Sequence, residues 1–340
     1  MIFPDFLKAG DYIGVTAVSD GVSDELDKIR FNNAREKLAK RGINTVFTED
    51  VFTVSEYGKS ADGLTRAKQF NSLFNDDRIK GIISAKGGNF LNEMLEYVDF
   101  EKIKRYPKWF QGFSDNTCLT HVLTTKYDIA SIYGSNFSEF GMEDWHKSVD
   151  YNFDILTGKN VVQKSFDKYQ DGFKDRITGL EGYSEDRDVC WKIDDNTLKK
   201  TDKITVGGRL VGGCLDVLLF LQGTRYDGTE EFINNYKDDG IIWYLESFES
   251  SAESMMMNMW KLRELGWFEG AKAIMFGREL FYRNSMDIEY EKAVMYALEK
   301  LSIPVVFNCD FGHLGPRFTV INGAKAKLTV DKNKGELSYM

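Results

Sequence analysis

The first 135 residues alternate short apolar runs with amphipathic segments, and that alternation leaves few folds open. Residues 11–17 read as a strand, Glu25–Lys40 as a helix closed by Gly42, and Asn44–Phe47 as a second strand. A polar loop at 58–62 precedes a helix in which Ala67, Phe70, Leu73 and Phe74 share one face, and 79–85 is a third strand. Strands at 109–112 and 129–133, with a helix between them, complete the series. A parallel strand pair needs a crossover, so strands separated by helices predict an α/β domain on a parallel sheet.

In open sheets of this kind, ligands bind beyond the carboxyl ends of the strands. Two stretches fall there. Lys86-Gly87-Gly88-Asn89 has the composition of an anion-binding glycine turn opening a helix over 90–97, and it also suits a plain tight turn. The second stretch runs from Lys108 to Lys126, where Trp109 and Phe110 suit a strand, Gly112 permits a sharp turn, and Cys118, Leu119, Val122 and Leu123 form one stripe of a helix. Ser114 stands at the corner. A hydroxyl there sits beside the unpaired N–H groups of a first helical turn, which can stabilise a developing anion. The same position suits a helix cap, and Asn116 replaces the second glycine of a G-x-S-x-G elbow.

From about 136 to 205 the pattern loosens into polar, aromatic-studded sequence, expected as a connection with an elaborated loop. His146 reads there as an exposed loop residue, and Trp191 as a core anchor or a ring lining a ligand cleft. The third segment, 206–340, opens with paired glycines at 207–208 and 212–213 before an apolar helix through Leu221. A strand at 240–245 delivers Glu246. The next helix follows Ser250, with Glu253 as its capping-box partner and Met255, Met256, Met259, Trp260 and Leu262 facing inward. Strands at 272–276 and 304–307 bracket a helix at 287–300, and the turn Asp310 to Pro316 leads to strands at 318–321 and 326–330.

A formal charge of -9 with a pI near 5.1, and the absence of any basic block, argue against a nucleic-acid partner. No apolar run is long enough to span a membrane and the N-terminus lacks a signal-type core, so a cytoplasmic protein is expected. The four cysteines lie far apart without a C-x-x-C pair, which predicts buried thiols and neither a disulfide framework nor a metal site. No cofactor is called for.

The three histidines limit any mechanism that needs an imidazole. His121 lies seven residues along the helix from Ser114, about 10 Å of rise, out of reach and expected to be partly exposed. His146 lies in the loosest segment. His313 follows a buried strand in a glycine-flanked turn, and Glu246, ending a strand of the same half, can accept its other ring N–H. The order is Ser114, Glu246, His313.

Taken together, Ser60-Ala61-Asp62, Arg66-Ala67, Lys86-Gly87-Gly88, Gly112-Phe113-Ser114-Asp115, Gly208-Arg209-Leu210-Val211-Gly212-Gly213, Leu245-Glu246 and Asp310-Phe311-Gly312-His313 resemble the serine LD-carboxypeptidases of peptidase family S66, which include the microcin C self-immunity hydrolases. The resemblance implies a Rossmann-like parallel-sheet N-terminal domain, a smaller β-rich α/β C-terminal domain, and a homodimer. It implies Ser114 as nucleophile, Glu246 as orienting carboxylate and His313 as base, with oxyanion-hole amides at Asp115 and at Gly87 or Gly88. The family's R-G-G-Y-G turn is Lys86-Gly87-Gly88-Asn89-Phe90 here, and lysine cannot reproduce a bidentate guanidinium. Lys86, Asn89 and Trp191 are therefore candidate substrate contacts, Trp191 as a platform for a base. Three functions follow as expectations: a carboxypeptidase-type hydrolase of muropeptide tetrapeptides, an amidase for peptidyl or aminoacyl nucleotides, or a non-enzymatic small-molecule-binding module.

Overall fold

The computed structural model describes residues 1–195 and 202–340; positions 196–201 of the expected connection lie outside the described residues. The chain divides into two compact units. Unit 1 comprises Met1–Val161, Lys174–Tyr183 and Phe318–Ile321, and unit 2 comprises Val162–Phe173, Ser184–Arg317 and Asn322–Met340.

Unit 1 is built on strands β1 (Tyr12–Thr16), β2 (Asn44–Phe47), β3 (Ile79–Ser84), β4 (Trp109–Gly112) and β5 (Ser131–Tyr133), all paired in parallel in the order β5-β4-β3-β1-β2. Strand β16 (Val320–Asn322) extends the β5 edge. Helices α1 (Glu25–Lys40), α2 (Gly63–Ser72), α3 (Phe100–Arg105) and α4 (Thr117–Thr125) lie in the crossovers between these strands, and α5 (Lys147–Leu156) follows β5. The Asp24 carboxylate caps α1 by accepting the N–H of Leu26 at 2.8 Å, and Gly42 turns the chain away with φ of 82°. Every residue of α4 is buried, so its polar face is covered as well as the apolar stripe of Cys118, Leu119, Val122 and Leu123. Its location inside the unit also buries His121, contrary to the partial exposure expected from its sequence.

The larger sheet lies in unit 2. It comprises β6 (Val162–Lys164), β9 (Lys192–Asp195), β10 (Lys203–Cys214), β11 (Ile241–Glu246), β13 (Ala271–Gly277), β15 (Pro304–Cys309), β17 (Lys325–Asp331) and β18 (Lys334–Tyr339), in the order β6-β18-β17-β10-β11-β13-β15-β9. Its centre, β10-β11-β13-β15, is parallel and the flanks are antiparallel. Two small pairs lie outside it, β7 (Lys168–Tyr169) with β8 (Arg187–Asp188), and β12 (Glu249–Ser251) with β14 (Phe281–Arg283). Helices α6 (Leu215–Leu221), α7 (Thr229–Tyr236), α8 (Ala252–Glu264) and α9 (Tyr290–Leu298) connect the parallel strands.

Several local expectations change. The glycine-rich run before α6 is a long strand, where glycine permits close approach: a Cβ on Gly212 would sit 1.7 Å from the Tyr244 carbonyl oxygen. The capping box of α8 joins Ser251 and Ser254, one position beyond the expected pair, while Glu253 accepts from the Ser285 hydroxyl at 2.6 Å. Met255, Met259 and Leu262 of α8 are buried, but Trp260 faces outward. Residues 90–97 form a 3-10 helix from Leu91 to Tyr97. His146 is the N-cap of α5, its Nδ1 accepting the N–H of Ser148 at 3.1 Å. Three cysteines are buried and Cys190 is exposed.

Candidate active site

In unit 1, Ser114 follows β4 and begins a 3-10 turn, Ser114–Asn116, that leads into α4. Its φ is 66°, a left-handed conformation that costs a non-glycine residue about 1–3 kcal/mol. A helix cap has extended backbone, so this corner is not the one a capping serine adopts. The glycine turn lies against it: a Cβ on Gly87 would sit 3.1 Å from Ser114 Cβ and 3.2 Å from its Oγ. The N–H of Asp20 donates to the Gly87 carbonyl at 3.2 Å. Because C=O and N–H oppose each other across a trans peptide, this bond directs the Gly88 N–H away from Asp20.

Asn116, where the elbow pattern would have glycine, ties the two loops. Its amide donates to Phe113 O at 2.9 Å, Lys86 O at 3.1 Å and Asn136 Oδ1 at 3.2 Å, and that same Asn136 oxygen accepts the Phe113 N–H. Asp115 points inward. Its carboxylate accepts the Ser19 hydroxyl at 2.5 Å and the Leu91 N–H at 2.9 Å, and burial pushes its pKa up against these bonds. Spacing gave no sign of Ser19 or Asn136, which lie 95 residues before and 22 residues after Ser114.

In unit 2, β11 ends on Glu246, which is fully buried, and Glu246 Oε2 lies 2.8 Å from His313 Nδ1. With Nδ1–H donating to the carboxylate, the neutral ring keeps its lone pair on Nε2. Glycine makes the approach possible, since a Cβ on Gly312 would meet Glu246 Cβ at 2.9 Å. The turn is held from behind by a buried ion pair: Arg278 donates to Asp310 Oδ1 at 2.7 Å and to the Leu314 carbonyl at 3.0 Å. The other Asp310 oxygen accepts from Trp191 Nε1 at 2.9 Å and the Phe166 N–H at 3.2 Å. Burial raises the Asp310 carboxyl, and Arg278 opposes that rise. Arg317 adds a bond from its Nε to the Gly312 carbonyl at 2.8 Å.

The remaining expected contacts are placed as follows. Lys86 pairs with Asp27 at 3.2 Å, and Asp27 also takes the Arg176 guanidinium at 2.5 Å. Asn89 is exposed at the end of the glycine turn. Trp191 is 1% exposed, packed so closely on Gly335 that a Cβ there would lie 2.1 Å from the indole. Its ring is core and its N–H supports the His313 turn, which corrects the reading of Trp191 as a platform for a base.

These parts define a class: a two-unit α/β protein in which one unit presents a serine on a strained strand–helix corner and the other an imidazole fixed to a buried carboxylate. Residues 13–134 match the LD-carboxypeptidase N-terminal domain and residues 207–328 the LD-carboxypeptidase C-terminal domain, and the chain belongs to the S66 peptidase family. It is 28% identical to the Bacillus subtilis protein named "Putative carboxypeptidase YocD", over 95% of this chain and 94% of that one. The microcin C7 self-immunity protein MccF of Escherichia coli is 26% identical over 96% of this chain and 92% of its own. Solved structures of MccF include complexes with glutamyl sulfamoyl guanosine and aspartyl sulfamoyl adenosine; they cover 100% of this chain and 98% of theirs, with TM-score 0.78 and 22% identity. A MccF-like protein of Bacillus anthracis superposes with TM-score 0.80 at 24% identity, covering 100% of this chain and 99% of that one, and bears on the fold.

Proposed function

We propose that the chain is a serine hydrolase of carboxypeptidase type, opening an amide next to a free carboxylate by way of an acyl-enzyme. Ser114 attacks the carbonyl carbon, His313 Nε2 takes the hydroxyl proton and returns it to the leaving amine, and Glu246 holds the ring through Nδ1. The N–H groups of Asp115 and of Gly87 or Gly88 receive the oxyanion, and water then releases the acyl group. The observation that carries the reading is the Glu246–His313 bond, because a fully buried carboxylate is costly unless its partner uses it. The left-handed backbone of Ser114 supports it, since such strain concentrates at functional corners.

The substrate proposed first is a muropeptide tetrapeptide, cleaved before its terminal D-alanine. A second reading, an amidase for aminoacyl nucleotides, is favoured by the full-length similarity to MccF. Purified protein offered a tetrapeptide and an aminoacyl sulfamoyl adenosine should turn over one of them, and Ser114→Ala should lower kcat by about three orders of magnitude or more. A fluorophosphonate probe followed by mass spectrometry should label Ser114. Full turnover by Ser114→Ala would remove Ser114 as the nucleophile, and a native chain that binds either compound without turning it over would be a binding module instead.

A further inference from the structure

Asp216 occupies the first turn of α6, directly after β10. An acid there has an ordinary explanation, because a helix N-terminus favours negative charge. Its hydrogen bonds lead elsewhere. Oδ2 accepts the backbone N–H of Phe248 at 2.9 Å and the Cys214 thiol at 3.5 Å. Phe248 is two residues beyond Glu246, and its ring centroid lies 4.8 Å from that of the His313 imidazole, inclined by 57°. The same phenyl ring meets Phe281 edge-on at 5.2 Å, and the Phe248 carbonyl accepts the Phe281 N–H at 3.0 Å. The imidazole is thus bonded at Nδ1 by Glu246 and packed by the tilted ring of Phe248.

Burial pushes the Asp216 carboxyl upward, the Phe248 N–H pulls it back, and the neighbouring Glu246 raises it further. A second carboxylate beside a buried first one is unfavourable, and Asp216 does not cap α6, whose N-cap is Cys214. Its bond to Phe248 supplies the missing reason.

We propose that Asp216 is a positioning residue for His313, acting through the Phe248 N–H to hold the phenyl ring against the imidazole. This rests on the Ser114–Glu246–His313 reading. Asp216→Ala releases the 246–248 segment, while Asp216→Asn keeps an oxygen that accepts the same N–H. Phe248→Leu keeps the backbone bond and removes the ring.

The test uses the full chain, with kinetics on whichever substrate is turned over and proton NMR of the histidine Nδ1–H signals, tractable with three histidines. Asp216→Ala and Phe248→Leu should each lower kcat about tenfold or more with KM little changed, because small misplacements of a base are costly. Both should broaden or shift the His313 Nδ1 proton, and Asp216→Asn should restore kcat and the signal. Native kcat with an unchanged signal in Asp216→Ala would overturn the proposal. So would an Asp216→Asn variant as impaired as Asp216→Ala, since that outcome assigns the effect to charge. The NMR arm needs no turnover, so it tests Asp216 even if Ser114→Ala shows the hydrolase reading to be wrong.

Discussion

At the scale of single residues, two glycines should fail in different ways when given a methyl group. Gly87→Ala places a Cβ 3.1 Å from Ser114 Cβ, and the neighbour can yield by a few tenths of an ångström. The expected outcome is a folded protein with a nearly native Tm and kcat reduced about ten- to a hundredfold, because the displaced atom belongs to the proposed nucleophile. Gly212→Ala places its Cβ 1.7 Å from the Tyr244 carbonyl in a buried strand pair, where neither backbone can withdraw. Here about 3 kcal/mol or more of stability should go, read as a fall in Tm before any kinetic change. Measuring Tm and kcat on both variants checks the contrast, and equal losses of stability would refute it. Both glycines stand in conspicuous Gly-Gly pairs. The sequence marks them as places of close approach but does not say what approaches, since Ser114 and Tyr244 are 27 and 32 residues away.

At the scale of elements, Lys108 shows a device that sequence pattern does not reveal. It precedes β4, is buried, and donates from Nζ to the carbonyls of Leu73 at 2.8 Å and Asp76 at 2.6 Å, beyond the end of α2. Burial lowers its pKa to about 8. The unfolded chain, with a lysine near 10.5, therefore binds more protons than the folded one between pH 8 and 10.5, and the stability of the fold rises with pH through that window. With Lys108→Met as the reference, urea unfolding at pH 7.5 and 9.5 should show the native chain gaining about 2 kcal/mol on the variant. A difference that stays flat with pH would remove the buried ammonium from the account. Elements with strong local chemistry were legible: α1 runs from Glu25 to Lys40 with Gly42 closing it, and the apolar runs of β1, β3 and β11 stand where periodicity puts them. Elements defined by tertiary packing were not. The glycines of β10 hid a strand, and β18, whose sequence KGELSY is largely polar, carries no apolar run to announce it.

At the scale of the whole molecule, the chain is not the three consecutive segments its composition suggests. Residues 174–183 and 318–321 return to unit 1 from far along the sequence, and each closes something that residues 1–161 leave open. Arg30 is buried in α1 and donates to the carbonyls of Gly179 at 2.9 Å and Glu181 at 2.8 Å. Those carbonyls are fixed because the Glu181 carboxylate accepts the N–H groups of Thr178, Ile177 and Gly179, and the Thr178 bond above all holds its pKa down to about 2. Residues 320–322 likewise cover the edge of β5. Within each unit the candidate side chains stand out in the sequence more readily than the residues that support them. A lone serine corner, a strand-end glutamate and one of three histidines stand out by residue type, whereas Asp310, Arg278 and, apart from its bond to Phe113, Asn116 act through partners distant in sequence. A fragment ending at Val161 would keep the Arg30 Nε bond to the Ser138 carbonyl at 2.7 Å but leave Nη1 without its two carbonyls, at about 1–3 kcal/mol, and expose a bare strand edge. Against a total stability of about 5–15 kcal/mol, that loss together with the open strand edge predicts that residues 1–161 alone are poorly ordered and self-associate. Extending the fragment to 183 restores the Arg30 partners but not the edge strand, so it should gain order and still self-associate. Dispersion of amide resonances and sedimentation of the two fragments test this directly. A monomeric, well-dispersed 1–161 fragment would show that the returning segments decorate a domain already complete without them.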